Sequence, residues 1–287
     1  MRKAIGILAF IGLFTFTCKG QQNINPPKLP KMISKNYVFI KPGKVFIEKD
    51  SFQLEGFFIS KYEISNKEYN LFLQDRKEKG KWSASLEMDT SSWTDSYNVM
   101  MVPYKSHPAF QNYPVVSISY EAALEYCKWL EEQLNDEEFE FKVTLPDRNQ
   151  WVYAAKGNHK TIQYVWGDRL TNTKAVYSCN FNGCGAETIH MNEETNQVEI
   201  IKSSAANTSH YTSDNADIWA PVNSYKPSSF GLYNMNGNVA EMTLEKGIAC
   251  GGGFLSYGYD VRNESIMHYA KPQIDIGFRP VIMFRRK

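Results

Sequence analysis

The hydrophobic pattern changes character several times along this chain. Ala4–Phe16 is an unbroken run of thirteen apolar or small residues behind Arg2 and Lys3. A spanning helix needs ~20 apolar residues, so this run is short for an anchor and fits the apolar core of an export signal. A polar stretch with Pro26, Pro27 and Pro30 follows and reads as a tether, before a body with mixed patterning. Within the body, Tyr37–Ile47 predicts two short strands around the Pro42-Gly43 turn, and Phe52–Ile64 continues in strand-like fashion. Ser65 with Glu68 three residues on is a capping box opening a helix through Lys77. Ser119 opens a second helix, Tyr120–Leu134, which sets Ala123, Tyr126, Cys127, Leu130 and Leu134 on one face. A third helical turn, Asp147–Ala155, follows Leu145-Pro146. Beyond Gly157 only short strands and many turns are expected, with no internal repeat and no linker that divides the body.

Composition changes this picture little. The chain has 287 residues, 43% hydrophobic and 14% aromatic, enough to fill one sizeable core. Its net charge of +1 gives no electrostatic footprint for nucleic acid. Cysteine placement changes it more. Cys18 directly follows the apolar run, as at the lipidation site of bacterial lipoproteins, although Thr15 and Thr17 depart from the usual residues there. The reading is a signal peptide over 1–17, a tether over 18–35 from an acylated Cys18, and one domain over 36–287. The implied location is the cell envelope, on the periplasmic side of the outer membrane. Cys179 and Cys184, with four residues between them in a glycine-containing loop, are the expected disulfide of an exported chain. A Cys-x4-Cys pair also suits half of a metal site, but the five histidines show no ligand spacing to complete one for zinc. No Gly-x-Ser-x-Gly nucleophile elbow is present.

Several blocks in fixed order resemble one family. They are Phe58-Ile59-Ser60-Lys61-Tyr62-Glu63-Ile64-Ser65-Asn66, Pro114-Val115-Val116, Ser119–Leu130, Leu145–Gly157, Trp166-Gly167-Asp168, Gly231–Glu241, Gly251-Gly252-Gly253-Phe254 and Gly277-Phe278-Arg279-Pro280. Together they are similar to the formylglycine-generating, or sulfatase-modifying factor, domain. That resemblance implies an α+β fold, a C-type-lectin-like variant low in regular structure, with small antiparallel sheets and two to three helices. Ser91–Phe110 is further similar to the Bacteroidetes lipoproteins of gliding motility and type IX secretion, which carry this domain in non-catalytic form.

The resemblance also implies metal chemistry. Two structural calcium sites are expected, one from the Asn234 and Glu241 side chains with the Gly237 and Val239 carbonyls, the other from the Asn180 and Asp214 side chains with the Phe181 and Ala216 carbonyls. Oxygen donors of these types suit calcium, while Asn234, Asn236 and Asn238 also suit turn capping. On this reading Glu241 is the anionic ligand of the first site and the Asn238 side chain takes no part. In the family's enzymes two cysteines bind copper(I). Here those positions are Ser256 and Val261, the tryptophan that lines the enzymes' groove is Ala240, and a second tryptophan of the same block is Met242. Copper(I) selects soft thiolates, so no copper and no catalytic residue are expected. Cys127 is left without the family's usual partner, whose position is Pro280. The resulting expectation is a binding or scaffold lipoprotein with protein partners of the envelope and the membrane reached through its anchor. A divergent oxidase of the family and a glycan-binding module are the alternatives.

Overall fold

The two ends of the domain meet in one sheet. The computed structural model describes residues 25–93, 103–134, 136–157, 159–171, 177–182, 187–192, 195, 197–202, 216 and 218–287. Strands β1 (Tyr37–Ile40), β4 (Phe57–Ser60), β12 (Val281–Arg286) and β5 (Phe139–Thr144) lie side by side in that order, each pair antiparallel. The last strand therefore sits between the N-terminal pair and the middle of the chain, with Val281 opposite both Ile59 and Thr144. On one face Phe39, Phe58 and Phe284 make tilted ring contacts at 5.2, 6.0 and 5.7 Å, the cross-strand pairing that stabilises a sheet locally. On the other, Ile40, Phe57, Ile59 and Val281 pack with Trp151.

The Pro42-Gly43 turn is flanked by strands as expected, but these do not pair with each other. β2 (Gly43–Ile47) forms a hairpin with β3 (Asp50–Leu54), while β1 pairs with β4. The strand-like tract over 52–64 is broken after Leu54 and ends at Ser60. A short helix, α1 (Lys31–Ser34), falls inside the stretch read as tether, and Leu29 and Ile33 join the core cluster. Their spacing of four places both on one side of the chain, so packing begins ahead of residue 36.

The three longer helices begin where their caps dictate. Helix α2 (Asn66–Glu78) carries both halves of the Ser65/Glu68 capping box. In α3 (Tyr120–Glu132) the Ser119 hydroxyl accepts from Ala122 N–H, and the helix stops two residues short of Leu134. Helix α4 (Arg148–Lys156) starts from a second capping box, Asp147/Gln150. Every residue of α4 from Gln150 on is buried.

The second half is built from a hairpin, β6 (Glu187–Asn192) with β7 (Gln197–Lys202), and a small sheet. That sheet orders β10 (Ile266–His268), β9 (Ile248–Cys250), β8 (Ala240–Met242) and β11 (Ile276–Gly277), with only β11 parallel to its neighbour. The architecture is α+β, with few helices and small, mainly antiparallel sheets. Among the described residues no helix is long and apolar enough to cross a membrane.

Candidate functional site

The small sheet presents two polar turns, one before β8 and one after β9. The first is Asn234–Asn238. Asn234, Gly237 and Asn238 all have positive φ, at 51°, 77° and 66°. Asparagine tolerates this left-handed region because its short side chain bonds locally. At Gly237 a Cβ would lie 2.2 Å from the Asn180 carbonyl oxygen, so glycine is required sterically as well.

The three asparagines do more than cap the turn. Fully buried Asn238 donates to both oxygens of Glu63 at 3.0 Å and to Ala220 O, and accepts from Ala220 N and Asn180 Nδ2. Asn236 accepts from Val165 N and donates to Val261 O and Asn263 Oδ1, tying this turn to the second one. Asn234 donates to Glu63 Oε2 at 3.0 Å and to Pro221 O, while its Oδ1 is buried with no hydrogen-bond partner.

Glu63 was not among the expected site residues, yet it lies at the centre of the cluster and is 0% exposed. Burial, reinforced by the nearby Glu241 charge, pushes its carboxyl up to about 8, against the opposing pull of Arg279 and the two asparagine amides. Its signal in the sequence was an acidic residue amid Phe57–Ile64, an otherwise apolar-rich tract.

Glu241 is bound by a guanidinium and an indole N–H. Its Oε1 accepts from Arg279 Nη2 at 2.5 Å, and its Oε2 from Arg279 Nε at 2.6 Å and Trp151 Nε1 at 2.7 Å. Arg279 is also 0% exposed and spends its other donors on the Ser60, Lys61 and Tyr233 carbonyls, so all five N–H groups are bonded. The cluster thus holds two carboxylates and one guanidinium, with one negative charge uncompensated when both carboxylates ionise. Oxygen donors, an orphaned Asn234 Oδ1 and excess negative charge are what a hard cation requires. Asn234 Oδ1 is the open oxygen of the cluster, while both Glu63 oxygens accept amide N–H groups and Glu241 accepts from Arg279. Among the described residues no three His, Cys, Asp or Glu side chains gather as a metal cluster, so carbonyl and amide oxygens would complete the shell.

Of the second expected calcium site, Asn180, Phe181 and Ala216 are among the described residues. Asn180 and Phe181 are buried beside the first turn, with Asn180 Nδ2 donating to Ile218 O and Asn238 Oδ1. Ala216 is described, but Asp214 lies outside the described residues, as do Cys18 and Cys184. Cys179 is buried.

The second turn runs from Gly251 to Asn263. Gly252 has φ 62°, and a Cβ on it would meet Val261 Cγ1 at 2.8 Å and Ser256 Cβ at 3.0 Å. Ser256 and Val261 therefore converge on one glycine, although they are five residues apart. Ser256 Oγ accepts from Gly253 N at 3.0 Å, and Val261 is fully buried. Neither side chain supplies a thiolate. Cys250 lies opposite Glu241 across β8 and β9, where burial pushes its thiol up to about 12. Cys127 lies in α3, its thiol also raised by burial. Asp275 stands beneath Gly253, its Oδ1 buried and without a hydrogen-bond partner, and burial raises its carboxyl. Below the turn, Trp93, Tyr104, Trp219 and Phe254 pack together, with Tyr104 and Trp219 rings 4.1 Å apart. Trp93 and Tyr104, from the stretch that narrowed the resemblance, are thus core residues. Ala240 and Met242 are fully buried in β8.

Comparisons with known proteins agree with this geometry. The chain is 25% identical over 255 residues to a formylglycine-generating enzyme of Thermomonospora curvata, covering 75% of this chain and 73% of that protein. It is 31% identical over 130 residues to a Streptomyces coelicolor protein of the same description, covering 45% of this chain but only 31% of the relative. The crystal structure of CarF shares the fold at a TM-score of 0.57 and 19% identity, covering 85% of this chain and 97% of that one. The model of the sulfatase-modifying factor enzyme 1-like domain matches residues 24–284, and the chain belongs to that family.

Proposed function

We propose that this protein is a non-catalytic member of its family, an exported and lipid-anchored envelope protein that uses the domain to bind or scaffold protein partners. The observation that carries this reading is the Ser256–Val261 pair. A hydroxyl and an isopropyl group converge on Gly252 where the resemblance implies two copper-binding thiolates. A hydroxyl is a hard and weakly acidic ligand, and an isopropyl group is none, so copper(I) has no soft donor pair there. Of the remaining described thiols, burial raises those of Cys127 and Cys250, and Cys179, buried in the same cluster as Val261, brings one thiol to this region and not a pair.

In this reading Cys18 carries the acyl chains on the periplasmic side of the outer membrane, and the partners belong to gliding motility or type IX secretion. Calcium is structural, held by Glu63 and Asn234 with the Gly237 and Val239 carbonyls. When bound it would neutralise the excess charge of the cluster and fasten an irregular turn to β4's extension. The test of the functional reading is oxygen uptake by protein expressed through the periplasm, with copper(I) and a cysteine-containing peptide. No thiol-dependent uptake is expected. Sustained uptake would establish the divergent oxidase instead. Crosslinking in the native membrane, with recovery of a stoichiometric envelope protein, is the matching positive outcome.

A further inference from the structure

The N-terminal face of the domain has a charge pattern that no other part of the chain repeats. The first acidic residue is Glu48, whereas Lys19, Lys28, Lys31, Lys35, Lys41 and Lys44 all lie between Cys18 and that point. Lys28, Lys31 and Lys35 are exposed around α1, and Lys67 is exposed at the start of α2. None of these four forms an ion pair with a described residue. The β2–β3 hairpin also carries exposed lysines, but Glu48, Asp50 and Glu55 accompany them.

Two apolar side chains protrude within this basic ring. Met32 on α1 is 74% exposed and Leu71 on α2 is 52% exposed. Lys67 and Leu71 are one helical turn apart and share a face. Met32, Lys67 and Leu71 line one cleft of about 430 Å³, whose walls include Tyr62 and Trp129. Its one lining carboxylate, Glu68, is turned inward to Asn36 and Ser65. Cations around protruding aliphatic groups, with Tyr and Trp at the edge, match the layered chemistry of a phospholipid interface.

We propose that the face formed by α1 and the start of α2 lies on an anionic phospholipid surface. Met32 and Leu71 enter the headgroup layer, and Lys28, Lys31, Lys35 and Lys67 meet the lipid phosphates. The proposal rests on the reading of Cys18 as the acylated residue. Pro27, the first buried residue among those described, lies nine residues beyond Cys18, a reach of at most ~32 Å at ~3.3–3.6 Å per residue. The tether runs directly into α1, with Leu29 and Ile33 packed on the core, so this face is the one nearest the anchor along the chain. A basic patch beside an acyl anchor supplies the second of the two signals that firm attachment needs.

The experiment uses the full-length acylated protein with Met32→Cys carrying an environment-sensitive fluorophore, reconstituted on phosphatidylcholine vesicles with or without phosphatidylglycerol. Ser51→Cys, exposed on β3, is the control position, and the unsubstituted protein labelled in parallel gives the background. The label at 32 should shift to the blue on phosphatidylglycerol vesicles, the label at 51 should not, and high salt should reverse the shift. Lys31→Gln and Lys35→Gln should each weaken the docked fraction by about fivefold. Flotation with the vesicles separately reports the acyl anchor. Protein that floats while the label at 32 stays water-like overturns the docking and leaves the anchor intact. Protein that does not float removes the anchor reading, and the emission at 32 with the same vesicles still decides the docking.

Discussion

The turn before β8 and the turn after β9 are neighbours on one small sheet, linked by Asn236, yet they have been treated differently by this sequence. In the first, every buried carboxylate and side-chain amide takes part in hydrogen bonds, save one Asn234 oxygen, and a buried Arg279 spends all five donors. In the second, the positions that converge on Gly252 carry a hydroxyl and an isopropyl group, and the nearby Asp275 carboxylate has no cationic partner among the described residues. The difference separates two demands. The first turn holds β4, β8 and the chain end together, so its groups are needed by the fold whatever the protein does. The second can lose its chemistry without loss of shape, because a buried valine packs as well as a buried thiol.

The comparison is broken most directly at Arg279. Arg279→Met should cost about 3–5 kcal/mol, because it strands Glu241 as an unpaired buried charge. Urea denaturation measures this, and a loss below ~1 kcal/mol would mean that the ion pair is not structural. Asn238→Ala comes next. Sequence reasoning gave this side chain no part, but the structure places five hydrogen bonds on it, with Glu63, Ala220 and Asn180 as partners. Stranding each buried partner costs ~1–3 kcal/mol, so a thermal melt should show one of the larger single-site losses in the domain.

These two effects mark where the sequence was legible. Ser65 with Glu68 and Asp147 with Gln150 act over three residues, so helix starts are local facts that the chain displays. Glu63 meets Asn234 and Asn238 across 171 and 175 residues, and β12, at the end of the chain, enters between β4 and β5. Such pairings have no local signature. The hint was indirect: an Arg between Phe278 and Pro280, and a Glu between Tyr62 and Ile64, each needing a buried partner. Family resemblance drew attention to the first turn but could not show that Glu241 is answered by Arg279.

Calcium and pH sharpen the comparison further. Glu63 has a raised folded pKa of about 8, so its contribution to stability is complete below the unfolded carboxylate range and is lost as pH rises toward 8. Without divalent ions the thermal midpoint should therefore fall from pH 5 to pH 8. Calcium should flatten that fall, adding ~2.7 kcal/mol at a hundredfold excess over its Kd. Glu63→Gln should abolish most of both responses, and Glu241→Gln should act mainly by weakening the ion pair. A midpoint indifferent to pH, chelator and calcium would return the turn to simple capping.

The second turn should respond weakly. Ser256→Ala removes one hydrogen bond to Gly253 N–H and should cost ~1 kcal/mol or less. Asp275→Asn should leave stability unchanged or raise it above pH 7, since it removes a buried carboxylate with an unpaired oxygen. A large loss in either variant, read by the same urea titrations, would give this turn a structural weight equal to the first.

The most direct measurement is a copper(I) titration against a chromophoric competitor, run on the native protein and on the Ser256→Cys/Val261→Cys double variant. The side chains already converge on Gly252, so the variant should gain one tight copper(I) site while the native protein takes up none. Stoichiometric, tightly held copper(I) in the native protein would contradict the account.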